Sequence, residues 1–563
     1  MTTQTLHPSA TSSYDYIIVG GGTAGCVLAA RLSSYLPDAK ILLIEAGPSD
    51  MNLERVLDLR KWLSLLESDL DYDYATVEQP MGNSHIRHSR AKVLGGCSSH
   101  NTVISFRPFR VDMDRWVNQH GCTGWDFETM VRLAGKLQNT IRPVHQRHRN
   151  QLMKDCVQAT ATALDIPAIE DFNVEITEKG QLTQGTGFFS VAYDPDTGRR
   201  SSASVAYIHP ILRGEEKRPN LAVLTDAWVS KVHVEGDAAT GIDVTLKEGT
   251  KMELKAGKEI ILCAGAVDTP RLMLHSGLGP RSQLEELGIA TVKDIPGVGE
   301  NLLDHPESII MWRLGRPVPE DQTTMDSDAG IFLRRQEPGA QGYGDGDAAD
   351  VMMHFYQIPF TLNTERLGYP RLGGREAFCM TPNIPRPRSR GRLYLTSADP
   401  TVKPALDFRY FTDPEGYDAA TLVHGVRAAR RVAQQSPFRE WLAEEVAPGP
   451  ELQTDEELSE YLRKAAHTVY HPAGTTKMGD VGRDGMAVVD PELRVRGVKG
   501  LRIADAGVFP EMTTVNPMVT VLVIGERAAE LIAEEDRACR RRRRQLLDES
   551  SVKKLQLGAS AKL

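Results

Sequence analysis

The stretch YDYIIVGGGTAGCVLAARLSSYLPDAKILLIEAG, Tyr14 to Gly47, limits the possible folds of this chain more than any other. Tyr16 to Val19 form a short apolar β run, Gly20, Gly22 and Gly25 fit G-x-G-x-x-G, and Thr23 to Ser33 carries the alanines and leucines of a helix. A second β run, Ile41 to Ile44, ends in Glu45, at the distance downstream that a dinucleotide fingerprint requires. The first glycine makes the tight turn, the second lets backbone approach a pyrophosphate, and the third packs helix on strand. The helix N-terminus, at Thr23 and Ala24, offers unpaired N–H groups to the anion. Glu45 is placed to accept ribose hydroxyls, and its charge repels a 2′-phosphate. A complete unit of this kind predicts a Rossmann-like α/β fold that binds a dinucleotide, and by itself it does not separate FAD from NAD.

A chain of 563 residues exceeds what one core usually organises, so two intimately packed domains are expected. No apolar run approaches the roughly 18 residues of a spanning helix, and the opening MTTQTLHPSATSS has neither a basic nor an apolar signal region. Membrane anchoring and export are therefore not expected. The cysteines at 26, 97, 122, 156, 263, 379 and 539 lack CxxC or metal-type spacing and read as reduced thiols of an intracellular compartment, with no metal site. The formal charge of −9 is uneven: from Arg537 onward the net charge is +7, leaving −16 for the rest. A body that acidic suits no polyanion, and no stacking aromatics accompany Arg540 to Arg544, so that run reads as the solvated end of a helix and not as a nucleic-acid patch. Residues 541–563 are expected to form a flexible basic tail. Its last three, Ala561-Lys562-Leu563, differ at one small residue from the peroxisomal Ser-Lys-Leu address.

Three further stretches separate FAD from NAD. RAKVLGGCSSHNTVISFRP (Arg90 to Pro108), GAVDTPRLMLHSGLGP (Gly265 to Pro280) and the segment from Val488 to Ile532, which contains GLRIADAGVFPEMTTVNPM, resemble signatures of the glucose-methanol-choline oxidoreductases in wording, order and spacing. The resemblance runs from about Tyr14 to Ile532. It implies FAD as cofactor, held by the fingerprint and by Gly95, Gly96, Asn101, Val229, Asp505, Ala506, Asn516 and Pro517. The implied fold is α/β, with a discontinuous Rossmann-like FAD-binding domain (1–160, 203–310 and 467–540). An α+β substrate-binding domain with an antiparallel sheet (161–202 and 311–466) accompanies it.

Shorter stretches, GGCSSHN, DHPES (Asp304 to Ser308), VMMHFYQIPF (Val351 to Phe360), FRYFTDPEGYD and HTVYHPAGT (His467 to Thr475), resemble the members of that family that oxidise choline. Oxidising a cationic alcohol demands a base for the hydroxyl proton, a hydride acceptor and a counter-charge for the quaternary ammonium. A neutral imidazole suits the base. By spacing alone, His471 reads as a turn histidine, His354 as a core histidine and Glu307 as an exposed turn carboxylate. The resemblance implies that His471 is the base, that Asn516 holds the alcohol and that His354 donates to the developing alkoxide. It makes Glu307 the counter-charge, with Trp62, Phe360 and Tyr470 as aromatic walls worth about 0.5–2 kcal/mol per ring. Without the resemblance each ring is simply core. Val469 resembles the residue that admits oxygen. His100, left unexplained when Gly95 and Gly96 are read as a polar turn, becomes a covalent link to FAD. O2 as oxidant and a homodimer are also expected, with no nucleic acid or membrane partner.

Two positions depart from that pattern. Thr102 stands where it has serine, keeping the hydroxyl and adding a methyl. TTMDSDAGIF, Thr323 to Phe332, carries Asp326, Ser327 and Asp328 where the pattern has a tryptophan. Either carboxylates replace a ring there, or the loop folds differently and the preferred substrate is not choline. A dehydrogenase with another electron acceptor, an oxidase of another alcohol and a flavin-dependent lyase of the same fold share most of these motifs.

Overall fold

A computed structural model of the chain describes residues 13–82, 86–318, 323, 325–335, 348–359 and 362–560. The fingerprint folds as a unit, with Ser13–Val19 lying parallel to Ile41–Ile44 and the helix Thr23–Tyr35 connecting them. All four residues of Ile41–Ile44 are buried, as expected of a strand covered on both faces. Gly25 has no room for a side chain: a Cβ there would lie 2.0 Å from the Gly20 carbonyl oxygen. Gly25→Ala must lever the helix off the turn, an overpacking cost of about 1–3 kcal/mol or more. The expected result is a lowered Tm and a lowered ratio of flavin to protein absorbance in the purified protein.

The sheet built on this unit, seven-stranded among the described residues, runs Leu221–Leu224, Ile41–Ile44, Ser13–Val19, Lys251–Leu262, Ala238–Leu246, Ala227–Glu235. Lys251–Leu262 joins two patterns. Its first half pairs antiparallel with Ala238–Leu246, and on the same edge its last residues pair parallel with Leu501–Ile503. The parallel core is therefore assembled from the N-terminal, middle and C-terminal parts of the chain. The C-terminal helix Met518–Ser560 packs along Thr23–Tyr35. It continues through residues 541–560, where a flexible tail was expected; the arginines extend the helix as an exposed basic end.

A second sheet, nine-stranded among the described residues, runs Leu442–Ala447, Ile310–Leu314, Ala377–Asn383, Val351–Tyr356, Ala329–Leu333, Gly185–Phe188, Ala168–Ile169. It is antiparallel except for its last pair. Two short strands, Pro306–Glu307 and His467–Thr468, pair with each other, and the first also pairs with Asn383. Both were expected to lie in the FAD domain, yet backbone hydrogen bonds tie them to this sheet, at the seam between the two layers. The Gly/Asp-rich stretch EPGAQGYGDGDAAD, Glu337 to Asp350, whose composition predicts a surface loop, falls mostly outside the described residues.

Candidate active site

One cavity runs from the fingerprint turn to this seam. At its first end Gly20, Gly22, Thr23, Ala24, Glu45 and Val229 form the wall. The helix starting at Thr23 is capped by Gly22 without a side-chain acceptor, and its first turn carries no acidic residue. Its leading N–H groups are thus available to an anion and meet no competing charge. Glu45 is buried, accepts from Gly21 N at 2.9 Å and from Gly47 N at 2.8 Å, and is pushed up to about 7 by burial. Gly25 does not line the cavity, and its contribution is the close helix–strand contact.

The middle of the cavity is walled by Gly96, His100, Asn101 and Thr102 from one segment and by Asp505, Ala506, Asn516 and Pro517 from another. Gly95, in the left-handed region, turns the chain behind this wall without lining it. Gly96 also has positive φ and rests against Gly22; a Cβ on it would lie 2.6 Å from Gly22 Cα. His100 is buried, and its Nε2 is 2.9 Å from Leu65 O. A carbonyl only accepts, so Nε2 carries the hydrogen and Nδ1 keeps the lone pair. Burial holds this imidazole neutral, with a pKa lowered to about 4. Val103, three residues on, takes φ 49° although β-branched, with its N–H bonded to Asn101 Oδ1 at 2.9 Å. That strain sits directly beside the cavity wall.

At the far end the cavity meets Glu307, His354, Tyr356, Val469, Tyr470 and His471, with Trp62 alongside. His471 is held from both backbone and ring. Its N–H donates to Asp304 Oδ1 at 2.9 Å, and its Nδ1 is 2.8 Å from His305 Nδ1. The protons between the two rings follow from the second nitrogen of His305, which faces Pro385 O at 2.8 Å and Thr513 O at 2.9 Å. Two carbonyls require an N–H there. Burial keeps His305 neutral, lowered to about 4, so its Nδ1 has the lone pair. His471 Nδ1 must then donate, which leaves the lone pair of His471 on Nε2. Burial first, then the nearby His305 and His354, push His471 well below the ordinary histidine value. The arrangement produces a neutral imidazole with a fixed tautomer and an acceptor nitrogen for the cavity. Tyr470, just before it, takes φ 62°, with its N–H bonded to Thr468 Oγ1 at 2.7 Å and its carbonyl to Arg90.

Glu307 is buried and not in an exposed turn, being only 1% accessible. Its Oε1 is 3.1 Å from His467 Nδ1 and its Oε2 is 3.8 Å from His354 Nδ1. Burial pushes the carboxyl up to about 7, against the pull of His467. His354 is lowered to about 4 by burial, and neither ring nitrogen has a hydrogen-bond partner among the described residues. Asn516 Oδ1 is likewise unpartnered among them. The seam therefore holds buried polar atoms whose hydrogen-bonding capacity is left for a ligand.

Residues Asp326 to Asp328 do not line the cavity. Asp326 turns the chain with φ 57° and its N–H bonds Thr323 Oγ1 at 2.9 Å; Ser327 and Asp328 are buried, and Thr323 also binds the Asp328 carboxylate. The loop thus folds on itself, and the carboxylates do not stand in for a ring. Its Met325 carbonyl accepts the Trp62 indole N–H at 2.9 Å, which fixes that ring. Phe360 lies outside the described residues.

Comparison with known proteins agrees with this geometry. Profiles of the GMC oxidoreductase family match residues 14–307 and 387–525. The chain is a GMC oxidoreductase. This GMC chain is 43% identical over 540 residues to the choline oxidase of Arthrobacter globiformis, covering 92% of this chain and 94% of that protein. It is 34% identical to an oxygen-dependent choline dehydrogenase of Staphylococcus aureus (strain MSSA476), covering 92% and 93%. Among solved structures, pyridoxine 4-oxidase from Mesorbium loti superposes with a TM-score of 0.81 at 26% identity, covering 92% of this chain and 99% of that one. A formate oxidase of Aspergillus oryzae RIB40 shares the fold, with a TM-score of 0.82 at 22% identity, covering 94% and 100%.

GMC oxidoreductases bind FAD, and the residues present fit it. The capless helix start suits the pyrophosphate and the buried Glu45 the ribose, while the paired glycine turns at Gly22 and Gly96 admit a flat ring system against backbone. Of the site residues that the sequence suggested, all but Gly25, Gly95 and Phe360, the last outside the described residues, line the cavity; sequence reasoning missed His305 and His467 behind the wall and Tyr356 within it. One signal was available for the first: in both DHPES and TVYHPAG a histidine immediately precedes proline, and these two histidines, 166 residues apart, are the pair whose rings meet.

Proposed function

We propose that this GMC oxidoreductase oxidises choline through betaine aldehyde to glycine betaine, with O2 as the oxidant. The observation that carries the reading is Glu307, a buried carboxylate facing a cavity walled by Trp62, Tyr356 and Tyr470. Such a charge is costly unless paired, and a trimethylammonium, which has no N–H to donate, pairs with it by charge while its methyl groups rest on aromatic faces. FAD supplies the hydride acceptor. His471 Nε2 takes the hydroxyl proton, Asn516 and His354 hold the oxygen left negative, and Val469 leaves an apolar approach for O2. Thr102 keeps a hydroxyl in the same wall.

Oxygen uptake and peroxide release with choline test the reading. Two oxygens consumed and two peroxides formed per choline support it, whereas flavin bleaching by choline without oxygen uptake supports a dehydrogenase that uses another acceptor. No bleaching by choline removes the substrate assignment. FAD held covalently through His100 belongs to the same proposal: after acid precipitation the yellow colour stays with the polypeptide, and His100→Asn releases it to the supernatant. Homodimer assembly and peroxisomal delivery through Ala561-Lys562-Leu563, which lies outside the described residues, complete the proposal. Sedimentation, and localisation of a chain lacking those three residues, test them.

A further inference from the structure

We infer that His467 is a positioning residue that keeps Glu307 charged and so sets the preference of the site for a cation over a neutral alcohol of the same shape. The inference rests on the reading of a cationic alcohol as substrate. Glu307 and His467 face each other in register across two antiparallel strands, so their contact is set by backbone pairing. His467 Nδ1 lies 3.1 Å from Glu307 Oε1 and 3.2 Å from the carbonyl of Thr468. The carbonyl can only accept, so Nδ1 carries a hydrogen, and the same hydrogen is shared with the carboxylate. Glu307 lines the cavity and His467 does not. The carboxylate is therefore held from behind by an imidazole, with its other face free for a ligand.

No other titratable group around Glu307 supplies this support, and the Thr381 hydroxyl adds only a weaker pull. Asp304, on its own segment, opposes its charge, as do the phenols of Tyr356 and Tyr470 as they ionise. His354, at 3.8 Å, His305 and His471 are all kept neutral by burial. The electrostatic pull of His467 is the strongest influence drawing the carboxyl down against burial. Losing it moves the carboxyl upward, so Glu307 is protonated, and its attraction for a cation lost, over a wider pH range.

The test uses the FAD-loaded enzyme with choline and with 3,3-dimethyl-1-butanol, its neutral isostere, between pH 6 and 10. His467→Leu is expected to move the acid limb of kcat/KM for choline up by about one pH unit, equivalent to a loss of about fivefold at pH 7 and nearly tenfold at pH 6 that disappears by about pH 10. The neutral isostere changes less than about twofold. His467→Gln, which keeps a neutral N–H donor, shows the same shift at smaller size and carries the test should the leucine variant fail to load FAD. A loss equal for both alcohols, a loss independent of pH, or an unmoved limb in the variant that loads FAD overturns the inference. A wild-type enzyme with no preference for choline over its isostere overturns the substrate reading and the inference together.

Discussion

Replacing His471 with alanine lowers the anaerobic rate of flavin reduction by choline about 10²–10⁴-fold, the usual contribution of a positioned general base. The size follows from the fixed tautomer. His305 gives its only N–H to Pro385 O and Thr513 O and accepts from His471 Nδ1, which commits the lone pair of His471 to Nε2. The other imidazoles in the middle and far end of the cavity offer no equivalent site: His354 is placed against Glu307, and His100 against Leu65. His471→Gln can still donate to His305 but supplies no base, so it falls as far as alanine while preserving the packing. In both variants the residual rate rises with pH, because ionisation of the alcohol in solution replaces the missing acceptor. Stopped-flow absorbance measures this, with flavin content fixing the active concentration. A loss below tenfold, or a residual rate indifferent to pH, moves the base elsewhere.

What the sequence made legible is what the backbone imposes locally. Gly20, Gly22 and Gly25 announce a turn, a close approach and a helix–strand contact within six residues, and Glu45 follows at a fixed distance, so the dinucleotide unit could be read before any contact was known. Glu307 was legible only as a residue beside apolar neighbours, and its burial depends on Asn383 and His467, brought to it from 76 and 160 residues away. The roles of His305 and His467 were not legible for a related reason. A histidine can serve as donor, acceptor or core side chain, and which role it takes is decided by partners far along the chain. The departure at Asp326 to Asp328 could be located in the sequence, but its outcome hung on Thr323, whose hydroxyl turns the loop on itself and away from the cavity. The helix beyond Glu535 shows the opposite case. Composition suggested a helix ending in the Arg540 to Arg544 run and a flexible tail after it, yet the helix, already nucleated by packing on Thr23–Tyr35, runs on to Ser560.

Glu307→Gln lowers kcat/KM for choline by about 2–5 kcal/mol, roughly 30- to several-thousand-fold, because it leaves the trimethylammonium buried without a counter-charge. The amide fills nearly the same space and still accepts from His467 Nδ1, so FAD binding and the Tm are expected to hold. A substrate without the charge separates electrostatics from shape: 3,3-dimethyl-1-butanol loses less than about threefold, since the aromatic walls of Trp62, Tyr356 and Tyr470 remain. The pH dependence carries the same signature. With its carboxyl pushed up to about 7, Glu307 is ionised above that value and neutral below it. For the wild-type enzyme kcat/KM for choline therefore falls as pH drops through about 7, whereas His471, held well below its ordinary value, stays unprotonated over that range and contributes no limb there. Glu307→Gln removes this limb and leaves a low, level profile. A profile that keeps its fall near pH 7 in the variant assigns the titration to another group, and equal losses for choline and its isostere make Glu307 a packing residue.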